Sequence, residues 1–201
     1  MVDKENFLNC DVLENLPTLH AENYNFETEY LIQVLPAKAK VLQVGSMDGT
    51  RLLRLFEKRP DLILTGLEIE PALVVASRSL LKHHKVAATI IEGDITQPPA
   101  LGQFDYVICL NHTSGYIPNQ HQALAGMKKL GKHVIVSVYG ENWTPELAQE
   151  YFTTLGLAIM NTTPTQFTLS DGSTIHRYTR KEIDAWGGKA RATPLGYLVF
   201  L

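Results

Sequence analysis

A buried strand that runs directly into a glycine-containing turn and a helix most restricts the fold of this sequence. Residues 41–49 read Val-Leu-Gln-Val-Gly-Ser-Met-Asp-Gly, and residues 50–56 continue with the spacing of an amphipathic helix. Glycine allows a tight turn, and the first turn of a helix has N–H groups without helical partners. These groups favour an anionic ligand. The segment therefore predicts a nucleotide-binding corner.

A carboxylate follows the next predicted strand at the spacing of a ribose ligand. Glu68 lies 19 residues after Gly49, close to the roughly 20-residue offset of dinucleotide-binding folds. A carboxylate offers two acceptor oxygens to two neighbouring ribose hydroxyls. We expect Glu68 to bind the ribose of a nucleoside-type cofactor, although an ordinary acid at a strand end gives the same pattern.

Composition limits the class of protein. The 201 residues are 45% hydrophobic and 19% charged, enough to build the core of one domain, and the formal net charge is −3. The sequence has no basic stripe for nucleic acid and no apolar stretch of membrane-spanning length. Its two cysteines, Cys10 and Cys109, do not form a disulfide framework. We expect a cytoplasmic protein without a metal site, since none of its histidines forms a spaced ligand set.

Predicted strands alternate with predicted helices from residue 41 to residue 138. The strands are near-continuous apolar runs, as expected when helices cover both faces of a parallel sheet. The pattern predicts an α/β protein with a doubly wound, Rossmann-like, mostly parallel seven-stranded sheet. Residues 1–25 are interpreted as an N-terminal arm or lid and residues 26–201 as a single domain. Asp171-Gly172 lies between two β-rich runs and predicts a C-terminal hairpin insertion beside the sheet.

Four segments at the ends of predicted strands resemble the motifs of one enzyme family. They are the glycine turn at 41–49, Gly-Leu-Glu-Ile-Glu-Pro at 66–71, Glu-Gly-Asp-Ile at 92–95 and Phe-Asp-Tyr-Val-Ile-Cys-Leu-Asn-His at 104–112. In this order they resemble the class I S-adenosylmethionine-dependent methyltransferases of the small-molecule type, over roughly residues 35–140. The resemblance implies S-adenosyl-L-methionine as the cofactor.

The resemblance also assigns roles to individual residues. Gly45, Ser46 and Gly49 would lie near the methionine part of the cofactor, with backbone N–H groups of the turn on its carboxylate. Asp94 would accept from the adenine amino group, although Gly93-Asp94 is also a common turn sequence. The remaining cofactor contacts implied are the Ile95 N–H to the adenine ring, Ile69 on the ring face, and Asn111 after the fourth strand.

Two positions depart from the family pattern. Gln43 stands where the family has an acid, and Met47 stands where it has the middle glycine of the turn. Gln43 can hydrogen-bond but brings no charge, and Met47 carries a Cβ that restricts the turn and occupies space near the cofactor. We expect both residues to remain part of a weakened or shifted cofactor site.

The segment after the fourth strand provides the candidate catalytic residues. His112 is a candidate base and Tyr116 a candidate for orienting the nucleophile, because ligands bind beyond the carboxyl ends of the strands. A polar loop with a packed tyrosine is the alternative interpretation. The expected partner is a small-molecule acceptor, with neither nucleic acid nor membrane, and a homodimer is left open.

Three functions fit these features. The first is methyl transfer from S-adenosylmethionine to a small molecule by in-line displacement. The second is a non-catalytic methyltransferase-like binding or scaffold protein, which the departures at Gln43 and Met47 favour. The third is an aminopropyl transferase of the spermidine synthase type, which Asp48-Gly49 favours and which Asn111-His112, in place of further acids, argues against.

Overall fold

The structure is a computed structural model that describes residues 16–201. In chain order its strands are β1 (Lys40–Val44), β2 (Ile63–Glu68), β3 (Ala88–Glu92), β4 (Phe104–Cys109), β5 (Gly131–Tyr139), β6 (Ile159–Thr163), β7 (Gln166–Leu169), β8 (Thr174–His176), β9 (Lys189–Thr193) and β10 (Gly196–Phe200). The helices are α1 (Thr18–Val34), α2 (Thr50–Lys58), α3 (Pro71–His83), α4 (Gln120–Leu130), α5 (Pro145–Thr154) and α6 (Arg180–Ala185), with a short 3₁₀ helix at Thr113–Tyr116.

The main sheet has seven strands in the order β3-β2-β1-β4-β5-β10-β9. Strands β1 to β5 pair in parallel, β10 pairs antiparallel with β5, and β9 pairs antiparallel with β10. The strand order reverses between β1 and β4, so the carboxyl ends of these two strands border a crevice in which α/β folds bind ligands. The predicted doubly wound, mostly parallel seven-stranded sheet is confirmed.

Helices cover both faces of the sheet, and successive strand residues alternate between two cores. In β1, Val41 packs in one cluster with Leu31 of α1 and Leu52 of α2. Leu42 packs in the other cluster with Met127 of α4. Because side chains in a strand point alternately to opposite faces, a strand buried on both faces needs an uninterrupted apolar run. This explains why the parallel strands are readable from the sequence.

A second, three-stranded sheet in the order β6-β7-β8 contains the predicted hairpin. The hairpin of β7 and β8 is confirmed, and β6 adds a third strand that the sequence analysis did not identify. Arg177 joins this sheet to the main body, because its guanidinium donates to the carbonyl oxygens of Trp143, Thr163 and Pro164 at 2.8–3.0 Å. The small sheet therefore lies against the chain that follows β5.

Helix α1 extends further towards the N-terminus than the sequence pattern indicates. Residues 18–25, which the sequence analysis assigned to the arm or lid, belong to α1, and this helix runs without interruption from Thr18 to Val34. Its buried face includes the polar residues Asn23, Glu27 and Thr28, so it lacks a simple apolar stripe. Residues 1–15 lie outside the described residues, and the arm or lid expected for residues 1–25 stays a prediction.

Within residues 16–201, no helix combines the length and the apolar character that a membrane-spanning segment needs.

Gly126 of α4 provides a test of how this fold positions the loop after β3. A Cβ at residue 126 would collide with the carbonyl oxygen of Ile95. We expect Gly126→Ala to lower the free energy of unfolding by about 1–3 kcal/mol, because the helix or the loop must shift. Urea unfolding measures this, with Lys128→Ala on the exposed face of the same helix as control. Equal stability of the two variants would contradict the packing described.

Candidate functional site

A cavity of about 390 Å³ opens where β1, β2 and β3 end. The segments that line it are the turn after β1, the end of β2, the loop after β3 and the chain around the 3₁₀ helix. Its lining residues are Val44, Gly45, Met47, Leu67, Glu68, Ile69, Gly93, Asp94, Ile95, Thr96, Thr113, Tyr116, Ile117, Pro118 and Asn119. Its volume is in the range of small-ligand sites.

The turn between β1 and α2 uses three left-handed residues in alternation. The φ angles are +66° at Gly45, +51° at Met47 and +89° at Gly49. Glycine takes this conformation freely, whereas an L-residue such as methionine is disfavoured by about 1–2 kcal/mol. Met47 thus adopts a backbone conformation that is typical of glycine. The restriction that we expected from its Cβ is local backbone strain at this residue of the turn.

Gly45 also permits a close approach of two segments. A Cβ at this position would lie 2.5 Å from Cγ2 of Thr113, so a larger residue cannot fit. The absence of a side chain brings the 3₁₀ helix against the end of β1. Gly45 and Thr113 both line the cavity.

The carboxylate of Glu68 lies at the centre of the loops that border the cavity. It is 4% exposed. Its Oε2 accepts from the N–H of Met47 at 2.9 Å, and its Oε1 accepts from the N–H groups of Ile69 at 2.9 Å and Glu70 at 3.1 Å. A carboxylate has roughly four acceptor positions, so Oε2 retains one for a hydroxyl. The carboxylate can bind one ribose hydroxyl while all three backbone bonds persist.

Asp94 lines the cavity from the loop after β3. Its Oδ1 accepts from the N–H of Thr96 at 2.8 Å, and its Oδ2 accepts from the Thr96 hydroxyl at 2.7 Å. These bonds hold the carboxylate in one orientation, and each oxygen keeps a second acceptor position. The turn interpretation of Gly93-Asp94 and a ligand role are therefore compatible.

Apolar side chains flank the two carboxylates. Ile69 is 63% exposed, although large aliphatic side chains are usually buried. It extends beside the cavity from the position directly after Glu68. Ile95 is buried, and both residues line the cavity. The arrangement offers apolar surface for a flat ring and acceptors for polar groups at its edge.

Of the twelve site residues that the sequence analysis named, seven line the cavity and five do not. Those that line the cavity are Gly45, Met47, Glu68, Ile69, Asp94, Ile95 and Tyr116. Those that do not are Gln43, Ser46, Gly49, Asn111 and His112. The roles assigned to all twelve residues stay predictions.

Gln43 and Ser46 point into the protein interior. Gln43 is buried in β1 on the face of Val41, and its Oε1 has no hydrogen-bond partner among the described residues. Ser46 is buried with its hydroxyl against Gly66 of β2. The alternation of side chains along a strand explains the position of the Gln43 side chain, because Leu42 and Val44 lie on the opposite face of the sheet.

Most backbone N–H groups of the turn are engaged within the protein. The N–H of Ser46 donates to the Leu67 carbonyl at 3.3 Å, that of Gly49 to the Ser46 carbonyl at 3.0 Å, and that of Thr50 to Asp48 at 2.9 Å. With Met47 bound to Glu68, the turn offers fewer free donors than expected. A ligand carboxylate at the start of α2 would require some of these bonds to be exchanged.

Asn111 and His112 both have left-handed backbones, with φ angles of +52° and +56°. The N–H of Asn111 donates to Glu27 at 3.2 Å, and that of His112 donates to the Ser137 hydroxyl at 2.9 Å. This double turn directs the His112 ring inwards, where it stacks on Tyr139 at 3.9 Å between centroids. His112 is therefore a core residue beside the cavity.

A buried ion pair that the sequence analysis missed lies behind the turn. Nη2 of Arg51 is 3.1 Å from Oε2 of Glu27, and both side chains are at most 1% exposed. Glu27 also accepts from the side-chain amide of Asn23 at 2.9 Å. The guanidinium lies 3.7 Å above the ring of Tyr24. The pair joins α1 to α2, and no local pattern in the sequence indicates two partners so far apart.

Two buried histidines near this pair are neutral at physiological pH. Burial, together with a smaller contribution from the positive charge of Arg51, lowers the pKa of His112 to about 3. Burial likewise lowers the pKa of His20 to about 3, with a smaller contribution from His112. A base with so low a pKa has little driving force to take a proton near neutrality. The structure thus weakens the case for His112 as general base.

In residues 16–201, no group of three or more histidine, cysteine, aspartate or glutamate side chains is arranged to hold a metal ion.

Removing the charge of Glu27 tests the buried pair. We expect Glu27→Gln to lower the free energy of unfolding by about 3–5 kcal/mol, because Arg51 is left buried without a counter-charge. Asp184→Asn breaks the exposed Arg180–Asp184 pair of α6 and is expected to cost less than about 1 kcal/mol. Chemical denaturation measures both. A loss in Glu27→Gln no larger than that of the control would contradict the assignment.

The low histidine pKa values predict a pH dependence of stability. Below about pH 6.5 the unfolded chain binds protons that folded His20 and His112 do not, so stability falls with pH. From about pH 7.5 to about pH 5.5, each histidine should reduce the free energy of unfolding by about 1.4 kcal/mol.

Phenylalanine substitutions isolate this effect. His20→Phe and His112→Phe each keep an aromatic ring that cannot take up a proton. Each variant should remove the contribution of one histidine to the pH dependence of the free energy of unfolding, as measured by urea titrations. His133→Phe, which replaces a histidine packed against Tyr106 at the start of β5, is the control. A pH dependence that is unchanged in all three variants would contradict neutral burial.

The comparison with protein families finds a methyltransferase domain at residues 41–133. Among curated proteins, a carboxy-S-adenosyl-L-methionine synthase of Campylobacter curvus is 32% identical over 90 residues, 45% of this chain and 38% of that protein. The chain thus matches less than half the length of this curated relative. The matched family segment runs from β1 to the first residues of β5 and includes the whole cavity-forming part of the sheet.

Solved structures resemble the chain over a larger part of its length. DesVI of Streptomyces venezuelae superposes with a TM-score of 0.65 at 15% identity, covering 100% of this chain and 98% of the other. CalS10 of Micromonospora echinaspora, an amino pentose methyltransferase with bound SAM, superposes with a TM-score of 0.61 at 18% identity, covering 92% and 91%. At these identities the likeness concerns the fold. The chain therefore shares the fold of these two proteins, and its residues 41–133 are similar to a methyltransferase domain.

Proposed function

We propose that this protein is an S-adenosylmethionine-dependent methyltransferase that acts on a small-molecule acceptor. The observation that carries the proposal is the cavity at the ends of β1, β2 and β3, in which Glu68 and Asp94 face apolar walls. The fold and the methyltransferase domain support the same activity. Two relatives named above, a carboxy-S-adenosyl-L-methionine synthase and a SAM-bound methyltransferase, favour this cofactor.

The residues present fit the adenosine part of this cofactor. The free acceptor position of Glu68 Oε2 suits a ribose hydroxyl, and the Asp94 carboxylate suits the adenine amino group. Ile69 and Ile95, which both line the cavity, would contact the adenine ring. Charge-assisted bonds of this kind are among the stronger hydrogen bonds in proteins. We infer that Glu68 contributes most to affinity and Asp94 to the choice of base.

When bound, S-adenosylmethionine supplies a methyl group that its sulfonium already activates. The protein has to align the acceptor with that methyl group and exclude water, and such positioning is worth about 7–11 kcal/mol in favourable cases. Thr113 and Tyr116 line the cavity, and Thr113 lies against Gly45. We assign the orientation of the acceptor to Tyr116, which would hold the acceptor towards the methyl group that the bound cofactor supplies.

A non-catalytic binding protein is the second candidate. The observation in its favour is the turn after β1, whose backbone donors are largely engaged within the protein. In that case the protein would bind the cofactor or its product without transferring a methyl group. Small-molecule binding, a cytoplasmic location and homodimer formation stay predictions in either case.

Calorimetry with S-adenosylmethionine and S-adenosylhomocysteine tests the proposal. We expect both ligands to bind the wild-type protein with one site per chain. In Glu68→Gln, affinity for S-adenosylhomocysteine should fall by about ten- to a hundredfold, the range for losing a charged hydrogen bond.

Glu92→Gln is the matched control for this experiment. Glu92 ends the neighbouring strand β3 in register with Glu68 but does not line the cavity. Circular dichroism at the titration temperature checks that both variants are folded. The proposal fails if the wild-type protein binds neither ligand, and the role of Glu68 fails if both variants bind equally well.

A further inference from the structure

The turn after β1 uses its backbone N–H groups for hydrogen bonds within the protein. The N–H of Gly45 donates to the carbonyl oxygen of Leu67 at 2.9 Å, and the N–H of Met47 donates to the carboxylate of Glu68 at 2.9 Å. The N–H groups of Ser46, Gly49 and Thr50 also donate within the protein. Free N–H groups at such a turn are the usual receptors for an anionic group of a ligand. Here an anionic group would have to displace bonds that are already made.

An acidic side chain of the protein itself occupies the start of α2. Oδ1 of Asp48 accepts from the N–H of Thr50 at 2.9 Å, and Oδ2 accepts from the hydroxyl of Thr50 at 3.0 Å. The N-terminus of a helix favours a negative charge through its free N–H groups and its dipole. Asp48 already supplies that charge, so a carboxylate of a ligand would meet a like charge at this place.

The charged side chains that line the cavity are both acidic. Glu68 and Asp94 belong to the lining, and within residues 16–201 the lining includes no lysine, arginine or histidine. Carboxylates attract an ammonium group of a ligand and repel a carboxylate. The cavity therefore distinguishes the two charged groups of an amino acid, and it favours the ammonium group.

The arginines closest to the cavity in the chain or in the fold are directed elsewhere. The guanidinium groups of Arg51 and Arg54 lie 3.7 Å and 5.4 Å from the ring centroid of Tyr24 in α1. Arg51 is also paired with Glu27. Arg177 is buried and donates to three main-chain carbonyl groups beside the small sheet. None of these three arginines lines the cavity.

We propose that the cavity holds its ligand by the adenosine half and selects against a carboxylate in the other half. The inference rests on the proposed function and specifies which part of the cofactor the protein recognises. The acceptor oxygens of Glu68 and Asp94 and the apolar side chains of Ile69 and Ile95 suit adenosine. The amino-acid half of the cofactor instead meets a turn whose donors are engaged and the acid Asp48 at the start of α2. Thioethers of adenosine that lack a carboxylate are the ligand class that this arrangement favours.

Calorimetry with three thioethers of adenosine tests this selectivity. S-adenosylhomocysteine carries an ammonium group and a carboxylate, its decarboxylated analogue carries the ammonium group alone, and methylthioadenosine carries neither. We expect the decarboxylated analogue to bind about threefold more tightly than S-adenosylhomocysteine, the effect of removing one like charge from a partly exposed site. Equal or tighter binding of S-adenosylhomocysteine would overturn the proposal.

Asp48→Asn tests the acid at the start of α2. Asparagine keeps an oxygen that can accept from the N–H of Thr50, but it carries no charge. We expect the affinity of this variant for S-adenosylhomocysteine to rise about threefold. Its affinity for methylthioadenosine should not change, because this ligand has no charged group. The role of Asp48 is contradicted if S-adenosylhomocysteine gains no affinity relative to methylthioadenosine.

Asp105→Asn is the matched control for the change in net charge. Asp105 lies near the start of β4, at the end of this strand that is remote from the cavity, and it does not line the cavity. Its substitution should change the affinity for neither ligand. An equal gain for S-adenosylhomocysteine in both variants would show an effect of net charge alone and would also overturn the role of Asp48.

Failure of this inference and failure of the proposed function give different results. A protein that binds S-adenosylhomocysteine at least as tightly as the decarboxylated analogue overturns the inference and leaves the proposed function standing. A protein that binds the decarboxylated analogue but neither S-adenosylmethionine nor S-adenosylhomocysteine supports the selectivity and contradicts the proposed function.

Discussion

The hydrogen bond from the Met47 N–H to the Glu68 carboxylate, at 2.9 Å, joins the two loops that border the cavity. It forms because Met47 has a left-handed backbone that directs its N–H towards the end of β2. The same carboxylate caps the N–H groups of Ile69 and Glu70. The residue proposed to bind ribose is therefore also the residue that shapes the turn, and ligand binding and loop geometry depend on each other.

Helix α1 is coupled to this arrangement through one buried carboxylate. Glu27 pairs with Arg51 of α2 and accepts from the Asn111 N–H after β4. A buried charge pair stabilises a structure little, but breaking it is costly, so it fixes the relative position of its elements.

The parallel strands were predictable, since strands covered on both faces have uninterrupted apolar runs. Strands β6 and β9 were not, because they are largely exposed and carry no period-2 pattern.

For the site, local spacing was enough to place Glu68 and Asp94 at the cavity. Local spacing also predicted His112 at the cavity, because polar residues after a strand usually face the ligand. In the structure, the left-handed turn directs the ring of His112 into the protein interior. The Glu27–Arg51 pair depends on helix packing, of which the local sequence carries no trace.

A crystal structure of the complex with S-adenosylhomocysteine tests the central claim most directly, because it locates the ligand relative to both carboxylates. The account predicts the adenine ring between Ile69 and Ile95 with its amino group at Asp94, and a ribose hydroxyl within hydrogen-bond distance of Glu68 Oε2. A ligand bound away from the ends of β1 and β2, or a ribose without contact to Glu68, would contradict it.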